Sequence, residues 1–427
     1  MRNVLLLLVM SVFLGTEFLA IPTPAFQLSL YRVMVLAMIP ILAYLLRQGN
    51  SPVIFNRHKY AHVIIGVFIF WLFWGAISIL WAIDLISWIR GLFLLTVGIL
   101  AIIAIFMGTR TMDDWQILVK GVWVMMTLLL LLGFSELLTN HYLFADVGKL
   151  DRYGTFASQP LTRMPVTIFE NQNDYATMLL AYLAVNSILY TRTRHVLFKG
   201  IVILVSLGAG FQIYMTDSRL SLLMLVVFFA LIFVLRFKID LRKPHIYTLI
   251  GLGVLGICAL AIIQPGFLGK FDQLLIIDKT ERISGDIARV NMIRLGLGFS
   301  AQTFGIGIGA GQSQYWLENF AQLPLNYVFN LHNWWLEVLV NYGIFVFIAY
   351  ISAYIMSIYR LFQLRKVEDK QFLGTTNALI AFMLIFIAAS LTSANNMLIE
   401  WHWVFFGLIF AYINIMEDRF ILKGDKA

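Results

Sequence analysis

Apolar runs of about 20 residues, separated by polar stretches, recur from one end of the 427-residue chain to the other. They lie near 4–20, 27–46, 60–83, 88–108, 116–138, 172–190, 198–215, 219–236, 245–264, 334–359, 372–392 and 396–416. A helix rises about 1.5 Å per residue, so each run is long enough to cross a hydrocarbon core about 30 Å thick. Strands of a membrane barrel would instead be about 10 residues long with alternating polarity. The pattern therefore predicts an all-α, polytopic integral membrane protein with about twelve transmembrane helices.

Composition agrees. The chain is 60% hydrophobic and 13% charged, with a mean hydropathy of +0.84, values outside the range of soluble globular domains. Its formal net charge of +8 would by itself suit a nucleic-acid partner, but the basic residues are distributed differently. With the N-terminus in the cytoplasm, Arg47, Lys59, Arg192, Lys199, Arg236, Lys243, Arg360, Lys366 and Arg419 fall on the inner side, and a short outer connection such as IPTPAF carries no basic residue. That is the positive-inside rule, and it points to a bilayer and to no nucleic acid. The single cysteine, Cys258, lies within an apolar run and offers neither a disulfide nor a thiolate metal site. The first run, behind Arg2, also fits a signal peptide; a retained first span is the expectation.

Most connections are short, but two on the outer side are long. One covers roughly 139–171 and the other 265–333, between spans 9 and 10. This divides the chain into helices 1–9 over 1–264, a long extracytoplasmic loop over 265–333, and helices 10–12 with a cytoplasmic tail over 334–427. Loops of this length are usually functional. Within the second, Ile287, Val290, Ile293, Leu297 and Phe304 recur at helical spacing and predict an amphipathic helix on the membrane surface. GIGIGAG follows, with glycines at 305, 307, 309 and 311. It follows no strand of a βαβ unit, so it reads as a flexible or tightly turned loop and not as a dinucleotide fingerprint. No inverted repeat or matched pair of broken helices marks a midplane transport site.

Seven histidines occur. His58, His195 and His245 fall in cytoplasmic loops and His62 just inside the adjoining span, whereas His141, His332 and His402 fall on the outer side. None has metal-ligand spacing, and no metal or other cofactor is called for. His332 closes the long outer loop at the start of a membrane helix. An imidazole there can serve as a base near neutral pH, or it can belong to an interfacial belt with Trp334 and Trp335. Outer arginines run against the topology rule, and Arg219, Arg289, Arg294 and Arg163 are of this kind. Guanidinium groups gathered at one site would hold a pyrophosphate bidentately, although snorkelling to lipid phosphate is an ordinary alternative for Arg219. Tyr153, Tyr315, Trp316, Tyr327, Trp334 and Trp335 could stack on sugars or anchor the interface.

Four segments in order carry a resemblance. FENQND at 169–174 is similar to an F-x-N-x-N segment, TDSR at 216–219 to T-x-SR, Arg289 ahead of GIGIGAG to an arginine followed by GxGxG, and HNWWLEVLVNYG at 332–343 to HN-x-x-L-x-x-x-x-x-x-G. Together they resemble the O-antigen ligase and O-antigen polymerase superfamily, bacterial membrane glycosyltransferases that include capsule and teichuronic acid polymerases. The resemblance spans roughly 165–416.

It implies a metal-independent, inverting transfer at the extracytoplasmic face of the cell membrane. The donor would be a polyprenyl-pyrophosphate-linked glycan, and the acceptor a hydroxyl of a glycan or of another lipid carrier. It makes His332 the general base and Arg219, Arg289 and Arg294 the pyrophosphate ligands. Arg163, Asn173, Asn333, Trp334, Trp335 and Glu337 become further candidates for substrate binding. Polymerase and ligase differ only in the acceptor, and the FENQND and DRYGTF stretches lean towards the polymerases. A flippase or exporter of lipid-linked sugar is the alternative of another class; it predicts charge at mid-membrane depth.

Overall fold

The computed structural model describes residues 1–16, 18–23, 26–47, 59–151, 154–237, 285–325, 329–366, 370–391, 397 and 399–424. Helices of eight or more residues are α1 (Arg2–Ser11), α2 (Leu30–Arg47), α3 (Tyr60–Ile77), α4 (Leu85–Gly108), α5 (Met112–Thr139), α6 (Gln172–Arg192), α7 (Val196–Met215), α8 (Arg219–Phe237), α9 (Gly285–Gln302), α10 (Ser313–Phe320), α11 (Trp334–Leu364), α12 (Lys370–Ala389) and α13 (Trp401–Gly424). The described β structure is a two-residue antiparallel pairing of Ile21–Pro22 with Gln27–Leu28. The chain is an all-α polytopic membrane protein. Seven stretches among the described residues are long and apolar enough to cross a bilayer, on α3, α4, α5, α7, α8, α11 and α12.

The predicted runs match these helices to within a few residues, with two clear differences. The last run, expected over 396–416, is the helix Trp401–Gly424. The first run was expected over 4–20, but the helix and its 3-10 extension stop at Leu14. Gly15, at φ +87°, turns the chain where a residue bearing a Cβ would be strained. The run at 245–264 lies outside the described residues, as do Cys258, His58, His245, Tyr153 and Tyr327.

Packing organises the helices around α13, which lies against α4, while α12 lies against α6 and α11 against α3. Small residues permit the close approach: a Cβ on Gly98 would fall about 2.5 Å from the Trp403 ring. Trp71, Trp334, Tyr350 and Trp403 form an aromatic core between α3, α11 and α13, with centroids 5.2–6.0 Å apart. At the opposite end from the long loops, Arg360 Nε donates to Glu417 Oε1 at 2.7 Å, and the Tyr60 and Ala61 N–H groups donate to the same carboxylate. This supplies acceptors to the first turn of α3, whose donors have no partner within the helix.

The first long loop is ordered on α5. Asn140, at φ 58°, ends that helix, and Tyr142, Leu150, Phe156 and Val166 form a small core of their own. Burial in it pushes the Tyr142 hydroxyl pKa up. Glu136 accepts from the Val166 and Thr167 N–H groups at 2.9 and 3.0 Å, bringing the loop back onto the helix.

The predicted amphipathic helix is α9. Ala288, Met292, Leu295 and Phe299 are buried in a cluster with Leu336 and Val340 of α11. Val290, Ile293 and Leu297, on another face, are 40–50% exposed. Phe304 lies past the helix end and is also exposed.

Candidate functional site

One end of the bundle gathers the end of α1, the starts of α2, α4, α6, α11 and α13, and the glycine loop between α9 and α10. There it encloses a chamber of about 450 Å3 whose wall includes Arg32, Arg90, Asp174, Glu337, Glu400 and Gln314. Each group is set by its helix start. Asn171 caps α6, its Oδ1 accepting from the N–H groups of Asn173 and Asp174 at 2.9 and 3.1 Å, while its Nδ2 donates to Asp174 Oδ2 at 2.6 Å. Such an N-cap settles both the helix start and the carboxylate one turn inside it. The FENQND segment is therefore the device that holds Asp174 at the wall.

Asn333 does the same for α11, accepting from Leu336 N–H at 3.2 Å, and Glu337 follows in the first turn, buried at the wall. Arg32 is buried and donates to Glu400 Oε1 at 2.5 Å and also to the Gln27 carbonyl. Arg90, on the first turns of α4, is exposed.

The glycine loop is tightly turned, and its turns are locked. Gly305, Gly307, Gly309 and Gly311 all have positive φ, between 69° and 109°. The loop lies against a break in α11 at Gly343, where φ is 80° and ψ 179°. Ile308 and Gly309 donate to the Val340 and Asn341 carbonyls at 2.8 and 3.0 Å, and Ile344 donates to the Gly305 carbonyl at 2.8 Å. The break frees these helix groups and the loop takes them up. At its far end Gly311 lies against Gly91 so closely that a Cβ on either would approach the other's backbone to 2.8 Å or less.

His332 precedes the Asn333 cap. It is half-buried, its N–H donates to Asn330 Oδ1 at 3.2 Å, and its φ is 46°, an uncommon conformation in which histidine is enriched. It is not among the wall residues of the chamber. Leu331 beside it packs in the cluster that holds Ala288, the neighbour of Arg289, so the segments bearing His332 and Arg289 are joined. Arg289 and Arg294 are exposed on α9. Arg219 begins α8 after the TDSR turn, in which Asp217 has φ 57° and Ser218 Oγ donates to Ser221 Oγ at 3.0 Å. Arg219 is half-buried at the same end of the bundle as His332.

Several candidates make contacts within the fold. Arg163 is buried and donates to the carbonyls of Phe156, Leu137 and Leu138 at 2.7–2.9 Å, closing the C-terminus of α5. Trp334 is fully buried, its Nε1 donating to Tyr350 Oη at 2.9 Å and its ring set among Trp71, His402 and Trp403. Trp335 is half-buried and donates to the Ile387 carbonyl at 3.0 Å. Asn173 gives its N–H to the α6 cap, and its carbonyl accepts from Thr177 Oγ1. Trp316 packs on Phe299 and Phe320, and Tyr315 lies beside Phe320.

Sequence reasoning passed over Arg32, Arg90 and Glu400. Arg32 and Arg90 begin spans that start on the outer side in the predicted topology, so the charge rule that marked Arg219 applies to them equally.

Two comparisons bear on this arrangement. Residues 202–351, from α7 through the break in α11, match the O-antigen ligase family. The teichuronic acid biosynthesis protein TuaE of Bacillus subtilis (strain 168) is 29% identical over 425 residues, covering 97% of this chain and 84% of that protein. TDSR, Arg289, the glycine loop, His332 and Gly343 all fall within the matched region.

Proposed function

We propose that the protein is a glycosyltransferase of the extracytoplasmic face of the cell membrane. It would join polyprenyl-pyrophosphate-linked oligosaccharide units into a surface polysaccharide. The observation that carries this reading is that the domain matched to the O-antigen ligases contains Arg219, Arg289 and His332, and that Arg219 and His332 stand at the bundle end where the chamber opens. The segment 265–333 is then an extracytoplasmic loop, with α9 on the membrane surface.

The chemistry assigns roles. His332 takes the proton from an acceptor hydroxyl as its oxygen bonds to the anomeric carbon of the donor from the face opposite the leaving group. The bond from that carbon to the pyrophosphate oxygen breaks, its electron pair leaves with polyprenyl pyrophosphate, and the anomeric configuration inverts. The departing charge needs stabilisation by positive groups, and Arg219 and Arg289 supply it, with Arg294 on the same helix as a further contact. No cofactor enters this scheme. The chamber, within the ordinary size range of ligand sites, offers carboxylates at Asp174 and Glu337 as acceptors for sugar hydroxyls, which supports a glycan-binding role for it.

The ligase reading has one observation of its own, since the matched domain is described as O-antigen ligase. A reconstituted assay separates the two. Labelled polyprenyl-pyrophosphate repeat unit alone gives a product ladder for a polymerase. A ligase leaves the donor intact until a separate carrier is added. No transfer in either case from well-folded protein would overturn the transferase reading in favour of a flippase.

A further inference from the structure

We propose that the glycine loop 305–311 is the saddle on which the donor lies, its isoprenoid chain in an apolar groove on one side and its pyrophosphate reaching Arg90 on the other, a contact further to those with Arg219 and Arg289. This rests on the donor named above. The groove holds about 400 Å3 at the end of α3 and is walled by Trp74, Ile77, Trp81, Ile306, Ile308 and Trp316.

Its surroundings are those of a bilayer-facing surface. Phe345 packs on Trp74 at 5.9 Å and is 59% exposed, Leu80 is 81% exposed, and Phe304 is 93% exposed. A chain entering from lipid meets no charged side chain in the groove wall. Gly307 forms part of that wall and Gly311 part of the chamber wall. Four residues of extended chain cover at most about 14 Å, so one amphiphile reaches both sites.

The locked loop makes this a fixed geometry. A Cβ on Gly307 would fall 2.5 Å from Gly343 N, and one on Gly311 would fall 2.4 Å from the Ser87 carbonyl. Arg90 directly precedes Gly91, which packs on Gly311, and it lines the chamber. A guanidinium there can hold two phosphate oxygens at once. An isoprenoid pyrophosphate bearing glycan satisfies groove, cation and polar chamber together, whereas a bilayer phospholipid has no glycan to fill the chamber.

The test is direct binding of undecaprenyl pyrophosphate and of short-tailed geranyl pyrophosphate to the full chain in detergent. Trp81→Gln, Ile306→Gln and Arg90→Gln are compared with wild type. Ile306 is partly exposed, so its variant keeps the fold even where a tryptophan loss does not. Wild type should bind the long-tailed probe more tightly than the short. The groove variants should lose about tenfold on the long-tailed probe, about 1.4 kcal/mol, and nothing on the short one. Arg90→Gln should weaken both alike.

Groove variants that bind the long-tailed probe as wild type does would overturn the inference, and glycan transfer that persists in them would leave the proposed reaction standing. Equal displacement of the probe by phosphatidylglycerol would also overturn it, making the groove a bilayer-lipid seat. Groove-dependent binding with no transfer by wild type would sustain the inference and sink the reaction. No binding of either probe by wild type would overturn both.

Discussion

Arg32 Nε donates to Glu400 Oε1 at 2.5 Å, joining α2 to the turn before α13 across 368 positions of sequence. Both side chains are buried, at 3% and 7% exposure, so each charge depends on the other. Removing one partner of a buried pair leaves an uncompensated charge and typically costs about 3–5 kcal/mol. Arg32→Met should therefore lower the unfolding temperature sharply. Arg32→Met combined with Glu400→Gln should recover part of the loss, measured by thermal unfolding in detergent. A double variant no more stable than Arg32→Met would show that the pair is not the unit of stability.

The break in α11 gives a second prediction. At Gly343 a Cβ would fall 2.1 Å from the Ile306 carbonyl, and φ of +80° is unfavourable for any other residue. Gly343→Ala should detach the glycine loop from α11 and abolish transfer while lowering stability. Gly298→Ala is the control: nothing lies within 4 Å of its added Cβ, and its backbone is helical. It should be neutral or stabilise by about 0.5–1 kcal/mol, with activity kept. Turnover assays and melting curves on the two variants decide it.

How far the sequence reaches can be judged from these residues. The helices follow from the apolar runs because a bilayer-spanning segment must satisfy its own backbone and present apolar side chains, whatever its neighbours are. The helical spacing of α9 is visible in the same way, since Val290, Ile293 and Leu297 share a face. Gly343 stands at the end of the HN-x-x-L motif, but its role as a break becomes visible only with the glycine loop laid against it. The same limit applies to Arg163 and Trp334. A buried guanidinium clamping carbonyls and an exposed one look alike in sequence, because what distinguishes them is contributed by residues far along the chain. The chamber itself is assembled from seven segments, and Arg32 and Glu400 meet only in space.

The arginines separate by readout. Arg163 holds Leu137, Leu138 and Phe156 carbonyls in a buried setting, so Arg163→Ala should destabilise by about 1–3 kcal/mol, leaving acceptors unsatisfied. Arg219→Ala and Arg289→Ala, which remove half-buried and exposed groups, should leave the melting temperature nearly unchanged and impair transfer. Loss of a pyrophosphate contact that strengthens as the charge departs lowers kcat as well as kcat/KM. If instead Arg219→Ala and Arg289→Ala melted early with full activity per folded molecule, their assignment to the leaving group would fall.

His332 carries the sharpest prediction, because its backbone and its side chain can be tested apart. With φ at 46°, replacement by alanine removes the imidazole and adds backbone strain, so a loss of activity in His332→Ala alone could arise from either. Asparagine also tolerates this conformation, so His332→Asn keeps the turn ahead of the Asn333 cap while removing the base. General-base assistance is typically worth about 10²–10⁴-fold. Both variants should fall by that amount in single-turnover transfer, with His332→Asn retaining the wild-type melting temperature and its affinity for the donor. If His332→Asn transferred glycan at the wild-type rate, the imidazole would be an interfacial residue whose backbone conformation is what the chain requires, and the acceptor would need another base. The wall carboxylates Asp174 and Glu337 would then be the first to replace with Asn and Gln, since they are the acidic groups that helix starts fix against the chamber.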